Sequence, residues 1–168
     1  MTVMRSVWTN VSKPDVGDKI AVQLEEFGNF TATCQKVNED RAEFIFDNCV
    51  ADEIRDDVDS VLEKIAAGLR DSLKAKLLKV DIPTYGQIFG HDDFYERFEP
   101  DNDERWPLMK DRRNRIALDT DGNLNWYWLK NRCKNSAPAF AYVYYVGAAG
   151  SNHASGSGGV RPAFLLEL

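Results

Sequence analysis

Apolar and polar positions alternate along residues 19–24 (KIAVQL), and again along 30–37 (FTATCQKV) and 42–50 (AEFIFDNCV). Between them lie Gly28-Asn29 and the tetrapeptide NEDR. A period of two with short polar breaks predicts three strands joined by tight turns, an antiparallel meander. From Asp56 the period changes. Val58, Val61, Leu62, Ile65, Leu69, Leu73 and Leu77 recur at three- and four-residue steps, the stripe of one long helix over 56–79. Asp56, Asp57 and Asp59 at its start, and Lys74, Lys76 and Lys79 at its end, suit the helix dipole. A second, short helix begins at Thr84, which forms a capping box with Gln87 and finds a stop at Gly90. Residues 91–105 read as an acidic, irregular loop. Further strands are predicted at 140–146 (FAYVYYV) and in the closing VRPAFLLEL. Strands, then helices, then strands again make an α+β chain.

Composition narrows what this chain does. Its 168 residues suit a single domain, and 43% hydrophobic with 11% aromatic content supplies a core. The formal charge is -6 and the pI about 5.0. The one dense basic cluster, Lys110, Arg112, Arg113 and Arg115, is flanked by acids, so nucleic acid is not an expected partner. Cys34, Cys49 and Cys133 form no CxxC pair, which gives neither a disulfide framework nor a zinc site. The N-terminus has no apolar core of a signal peptide, and no run reaches the roughly 18 residues of a membrane span. The expectation is a chain made in the cytoplasm, not inserted in a membrane.

Candidate chemistry is sparse. DTDGNLNW sets Asp119, Asp121, Asn123 and Asn125 at alternate positions, like the start of a calcium loop. Leu124 stands where that loop needs Gly, and Lys130 where it needs Glu, so the stretch reads as a hairpin turn on Asp121-Gly122 between RIAL and WYWL. His91 and His153 have no metal-ligand spacing, and nothing in the sequence orients Cys133 with His153 as a nucleophile pair. GSGG at 156–159 has no following helix to present amides to a phosphate, and reads as a flexible turn. In NWYWLKN, Trp126 and Trp128 share one strand face, with core packing expected of at least one of them, while Tyr127 points the other way and can reach a surface. Arg161 enters an apolar strand and needs a fixed carboxylate or carbonyl, which makes it a structural anchor.

The stretch 135–160 holds no Lys, Arg, Asp or Glu, where the chain's average charge content would put about seven or eight. Its first half is strand-forming and tyrosine-rich; its second is Gly, Ser and Asn. Tyrosine gives large contact area at low entropy cost, and small polar residues give adaptable hydrogen bonds, the mixture of binding loops.

IPTYGQIFG, WPLMKDRRNRIA, WYWLKN and GVRPAFLLEL, together covering roughly residues 80–168, resemble a bacterial and prophage domain of unassigned function with a WLR-like strand and a terminal GVRP strand. The layout is also similar to C-type-lectin-like folds, including the variable proteins of diversity-generating retroelements. Trp128 and Leu129 match the WL strand, and Gly159, Val160, Arg161 and Pro162 match the closing motif, with Lys130 where the signature has Arg and Val160 where the retroelement proteins have Phe. The paired reactive cysteines of the formylglycine-generating enzymes, which share the broad fold, have no counterpart here. The resemblance implies a C-type-lectin-like domain in which residues 131–158 face outward. It also implies ligand contacts at Tyr142, Tyr144, Tyr145, Asn135, Asn152 and His153, with strand alternation separating Tyr144 from Tyr145. The expected function is a non-catalytic ligand-binding module without cofactor, a phage or prophage tail-associated protein that recognises a cell-surface protein or carbohydrate. The alternative is a structural virion component whose neutral 135–160 segment is a subunit interface, with other virion subunits or further copies of itself as partners. A third reading, an enzyme built on carboxylates of the 91–105 loop, requires a carboxylate pair in one cleft.

Overall fold

The alternating N-terminal third folds as its periodicity dictates. A computed structural model describes residues 13–168 except residue 137, and in it β1 (Lys19–Leu24), β2 (Gly28–Val37) and β3 (Arg41–Phe46) pair antiparallel in chain order. The first turn lies on Glu25–Phe27, one step earlier than expected, because Gly28 already pairs with Leu24. The third strand ends at Phe46 instead of running to residue 50. Asp47 accepts hydrogen bonds from Lys19 Nζ and Thr31 Oγ1 at 2.6 Å and from Thr33 Oγ1 at 2.5 Å, and Asn48 Oδ1 accepts from Leu118 N at 3.0 Å. Those side-chain bonds turn the chain out of the first sheet, and β4 (Ala51–Glu53) joins a second one.

Helix α1 (Val58–Ser72) buries Val58, Val61, Leu62, Ile65 and Leu69. It is shorter than its apolar stripe suggests. Leu73 is already extended, and Lys76–Asp81 form β5, which pairs with β12 (Ala163–Glu167). Leu77 and the lysines expected at a helix C-terminus therefore lie beyond the helix. Backbone pairing to a waiting sheet edge overrides the local preference. Helix α2 (Tyr85–Phe89) is the reverse case. Thr84 Oγ1 accepts from Gln87 N at 3.2 Å while Thr84 N donates to Gln87 Oε1 at 3.0 Å, and Gly90 ends the helix at φ 71°.

The acidic loop holds a short 3-10 turn, Asp93–Arg97, and a second follows at Pro107–Lys110 before α3 (Arg112–Arg115). The hairpin at Asp121-Gly122 joins β6 (Ala117–Leu118) to β7 (Leu124–Asn125); Gly122 takes φ 84°, and WYWL lies beyond it in a different sheet. β8 (Tyr127–Arg132), β9 (Ala139–Val143), β10 (Ala149–His153) and β11 (Gly158–Val160) complete the second sheet.

The first sheet has the order β1-β2-β3-β12-β5, and the second β10-β9-β8-β11-β4. Among the described residues all strand pairings are antiparallel save β11 against β8. The chain is thus a mixed α/β molecule made mostly of strands, with one long helix. Its end, expected as one strand, is two: β11 and β12 lie in different sheets, and the chain crosses between them at Arg161-Pro162. α1 and the first sheet share one apolar core with Trp128, Phe140 and Val160, while α2 and the irregular segment cover the opposite face of β8 and β9.

Candidate functional site

Strand pairing sets Trp128 opposite Tyr142, and from there the aromatic rings run outward in a continuous series. Ring centroids are 6.5 Å apart for Phe140–Trp128, 4.8 Å for Trp128–Trp126, 5.1 Å for Trp126–Tyr142, 5.9 Å for Tyr142–Tyr144 and 4.6 Å for Tyr144–Tyr145. Trp128 is 0% exposed at the inner end, and Tyr144 and Tyr145 are 44% and 37% exposed at the outer end. Edge and tilted contacts of this kind add to area burial, by about 0.5–1.5 kcal/mol per pair.

The outer end is shaped by a turn, not a strand. β9 stops at Val143; Gly147 N donates to Tyr144 O at 2.9 Å, and Tyr144 N donates to Ala148 O at 2.7 Å. Gly147, at φ 80°, supplies the left-handed residue that closes a three-residue hairpin loop. This corrects the expected strand to residue 146 and the expected separation of Tyr144 from Tyr145: both face solvent, because period-two alternation ends with the strand. Burial first, and the neighbouring Tyr144 and Tyr145 second, push the Tyr142 phenol up, so it stays a neutral hydroxyl.

The other candidates lie at the far end of the same hairpin. Asn152 and His153 are exposed on β10, where His153 pairs with Ala139, and Asn135 is exposed in the β8–β9 connection. A single chain therefore sets Tyr144 and Tyr145 at the turn apart from Asn135, Asn152 and His153 at the other end of β10, with Tyr142, paired to Gly150, between them. The segment 131–158 as a whole does not face outward: Asn131, Cys133, Ala139, Phe140, Ala141, Val143 and Ala154 are buried, as are Gly147 and Gly158.

Glycine explains why that burial escaped the sequence. GSGG is not a flexible turn, since Gly158–Val160 is a buried strand between β8 and β4. A Cβ on Gly158 would lie 2.5 Å from the Trp126 ring and 2.7 Å from Trp128 Nε1. One on Gly150 would lie 2.7 Å from the Tyr142 ring. These glycines make room for the aromatic series.

Tyr127, expected to reach a surface, is fully buried. Its hydroxyl donates to Arg115 O at 2.7 Å and accepts from Arg161 Nη1 at 2.9 Å. Arg161 is 3% exposed and also donates from Nε to Phe46 O at 2.7 Å and from Nη1 to Asn114 O at 3.2 Å. Its guanidinium stitches the two sheets together at the crossing, with carbonyls and a phenol as partners.

Most other chemistry-bearing residues are taken up by the fold, while Glu43, Asp81 and Asp103 share the lining of one cavity. Burial pushes the Cys34 and Cys49 thiols up to about 12, and raises Cys133 too, against a weaker opposing bond from Ser151. His153 Nδ1 sits 2.8 Å from Ser155 Oγ, and the side-chain bond at Cys133 comes from Ser151. In the acidic loop, Asp92 Oδ1 accepts from Tyr85 Oη at 2.8 Å. Burial pushes Asp101 up, but bonds from His91, Asn131, Gly86 N and Asp103 N outweigh it and hold the carboxyl below its usual range. Asp103 accepts from Thr84 Oγ1 at 2.9 Å on the wall of a cavity of about 180 Å³, which Glu43, Lys79, Asp81 and Trp106 also line. Glu43 is raised there, by burial first and by Asp103 in the same direction, against Lys36, the Trp106 indole and Lys79. Among the described residues no group of three or more His, Cys, Asp or Glu side chains gathers to hold a metal, and no helix is long and apolar enough to cross a membrane.

Sequence reasoning missed two features here. Trp126, read only as a core candidate beside Trp128, is half-buried and links the core rings to the tyrosines. β10 was invisible because Gly, Ser and Asn are poor strand formers.

No curated protein and no solved structure matches this chain. Residues 92–168, which carry β6 to β12 and the whole aromatic series except its contacts with the first sheet, match the family model of a domain of unknown function, DUF6273.

Proposed function

We propose that this chain is a non-catalytic ligand-binding module of C-type-lectin-like architecture. It acts as a phage or prophage tail-associated protein does, capturing a cell-surface protein or carbohydrate on the Tyr144–Gly147 turn. One observation carries the reading: an aromatic series rooted in the core ends in two adjacent, exposed tyrosines on a turn without charge. Rings held from behind lose little entropy on contact, and their faces stack on the apolar face of a sugar or on a protein surface. The crossing at Arg161 supports the architecture, because it pins the GVRP segment between two sheets and leaves the hairpin as a stiff projection.

Labelled protein applied to an array of bacterial surface glycans and to intact bacterial cells tests this. Capture by the natural chain, lost in Tyr144→Ala and Tyr145→Ala at unchanged melting temperature, is the expected result. Capture that survives both changes removes the turn from the site.

A second reading has its own support. The neutral 135–160 segment, as a subunit interface of a structural virion component, would use the uncharged strand β10 beside the turn. Loss of assembly in Tyr145→Ala, with no glycan or cell captured by the natural chain, favours it.

A further inference from the structure

Among the described residues, four strands end the two five-stranded sheets: β1 and β5 in the first, β10 and β4 in the second. β1 carries Lys19; β5 carries Lys76, Lys79 and Asp81; β4 carries Asp52 and Glu53. β10, AGSNH, carries no Lys, Arg, Asp or Glu, no proline, and no bulge in its pairing with β9. Charge, proline and bulges are what keep a sheet edge from pairing with another strand. Three edges have such protection and this one does not.

The register shows which backbone groups are open. Tyr144 N donates to Ala148 O at 2.7 Å and Ala154 N donates to Pro138 O at 2.8 Å. The alternation of an antiparallel ladder then turns the backbone groups of Gly150 and Asn152 toward β9, and those of Ala149, Ser151 and His153 away from it. His153 is satisfied locally, through its N–H to Asn152 Oδ1 at 2.8 Å and its C=O from Gly156 N at 3.0 Å. Ala149 and Ser151 keep their N–H and C=O pointing off the sheet, and among the described residues neither backbone finds a partner there.

We infer that a second copy of this chain pairs at this edge, β10 against β10, antiparallel about a two-fold axis at Gly150. In that register Ala149 meets Ser151 of the partner subunit, and every outward N–H and C=O of the two residues gains a mate. Gly150 meets its own copy at the position where backbones approach most closely, and no Cβ stands in the way. The occupant is a second copy for two reasons. The strand is complementary to itself in this register, and two molecules that each carry -6 meet here along a seam without charge. Growth stops at the dimer, since the outer edge of the joined sheet is β4 with Asp52 and Glu53.

The pairing has a consequence for the site. Counting outward from Ala149, residues 147 and 148 lie beside His153 and Asn152 of the partner subunit. The tyrosine turn of one copy and the Asn/His group of the other become neighbours, which a single chain keeps apart. A backbone seam of this size is smaller than a standard interface of about 1,600 Å², so the dimer forms as concentration rises.

Sedimentation equilibrium of the full chain, combined with amide hydrogen exchange, tests this. The expected result is a mass that rises from 19.1 kDa toward its double with concentration, together with slowed exchange at Ala149 and Ser151. Ser151→Pro removes an outward N–H, together with the hydroxyl that bonds Cys133, and is expected to return the mass to the single chain, while Ser151→Ala, which loses the hydroxyl alone, keeps the dimer. Should that variant fail to fold, the exchange measured on the natural chain decides alone. A single-chain mass at all concentrations overturns the inference, as does a dimer whose Ala149 and Ser151 amides exchange freely, or a foreign peptide that protects those amides on a monomer. The inference stands apart from the ligand reading: Tyr145→Ala is expected to lose glycan capture and keep the dimer.

Discussion

The turn Tyr144–Gly147 and the strand Gly158–Val160 belong to the same uncharged stretch and have similar small-residue chemistry, yet one faces solvent and the other lies in the middle of a sheet. In the turn, Gly147 is used first for its backbone, since a residue at ease at φ 80° closes the loop that turns both tyrosines outward, although Arg112 also crowds its Cβ position. In the strand, Gly158 is used for what it lacks, because two indole rings occupy the space of its Cβ. Glycine-rich composition therefore carries two opposite meanings, and the neighbours in space decide between them.

The largest effect expected is at the buried end. Arg161→Ala leaves Phe46 O, Asn114 O and the Tyr127 hydroxyl without this donor, and should cost about 1–3 kcal/mol for each in chemical denaturation. Arg161→Lys recovers only part, since one ammonium cannot reproduce the planar fork. A loss below about 1 kcal/mol would show that the crossing does not depend on this side chain.

Gly158→Val comes next, at about 3 kcal/mol, because Trp126 and Trp128 must both move. The same change at the turn's Gly147 strains φ and meets Arg112 Cγ at 2.9 Å. Tolerance of valine at either position would overturn that reading of its glycine.

Acid sensitivity separates the loop from the turn. The Asp101 carboxyl titrates lower when folded than when unfolded. Its stabilising contribution is therefore complete above the unfolded value and lost as pH falls through the folded one. Asp101→Asn should flatten the fall in melting temperature on the acid side; an unchanged acid limb would mean the knot of His91, Asn131 and Gly86 bonds does not govern it.

The smallest stability effect is expected at Tyr145→Ala, within about 0.5 kcal/mol, coupled to the largest loss of ligand capture. If the melting temperature drops with capture, the ring is packing and not contact surface.

Much of the fold was legible where short-range chemistry decides it. The strand at 19–24, the Thr84–Gln87 capping box, the stop at Gly90 and the turn on Asp121-Gly122 all depend on residues within a few positions of one another. The candidate site was legible in outline, because an uncharged, tyrosine-bearing stretch stands out against an acidic chain. Its shape was not: the hairpin Ala139–His153 places Tyr144 and Tyr145 together and moves Asn152 and His153 to the other end. No pattern in Gly, Ser and Asn announces a strand.

The sequence by itself determined the meander, the helical stripe, the caps and the place where charge is missing, since period, capping and composition act through neighbours along the chain. Only the tertiary structure decided that α1 stops at Ser72 although apolar spacing continues to Leu77, because β12 offers an edge to Lys76–Asp81. It alone buried Gly158 and divided the last strand at Arg161 between two sheets, for the partners there (Trp126, Phe46 and Tyr127) come from distant parts of the chain.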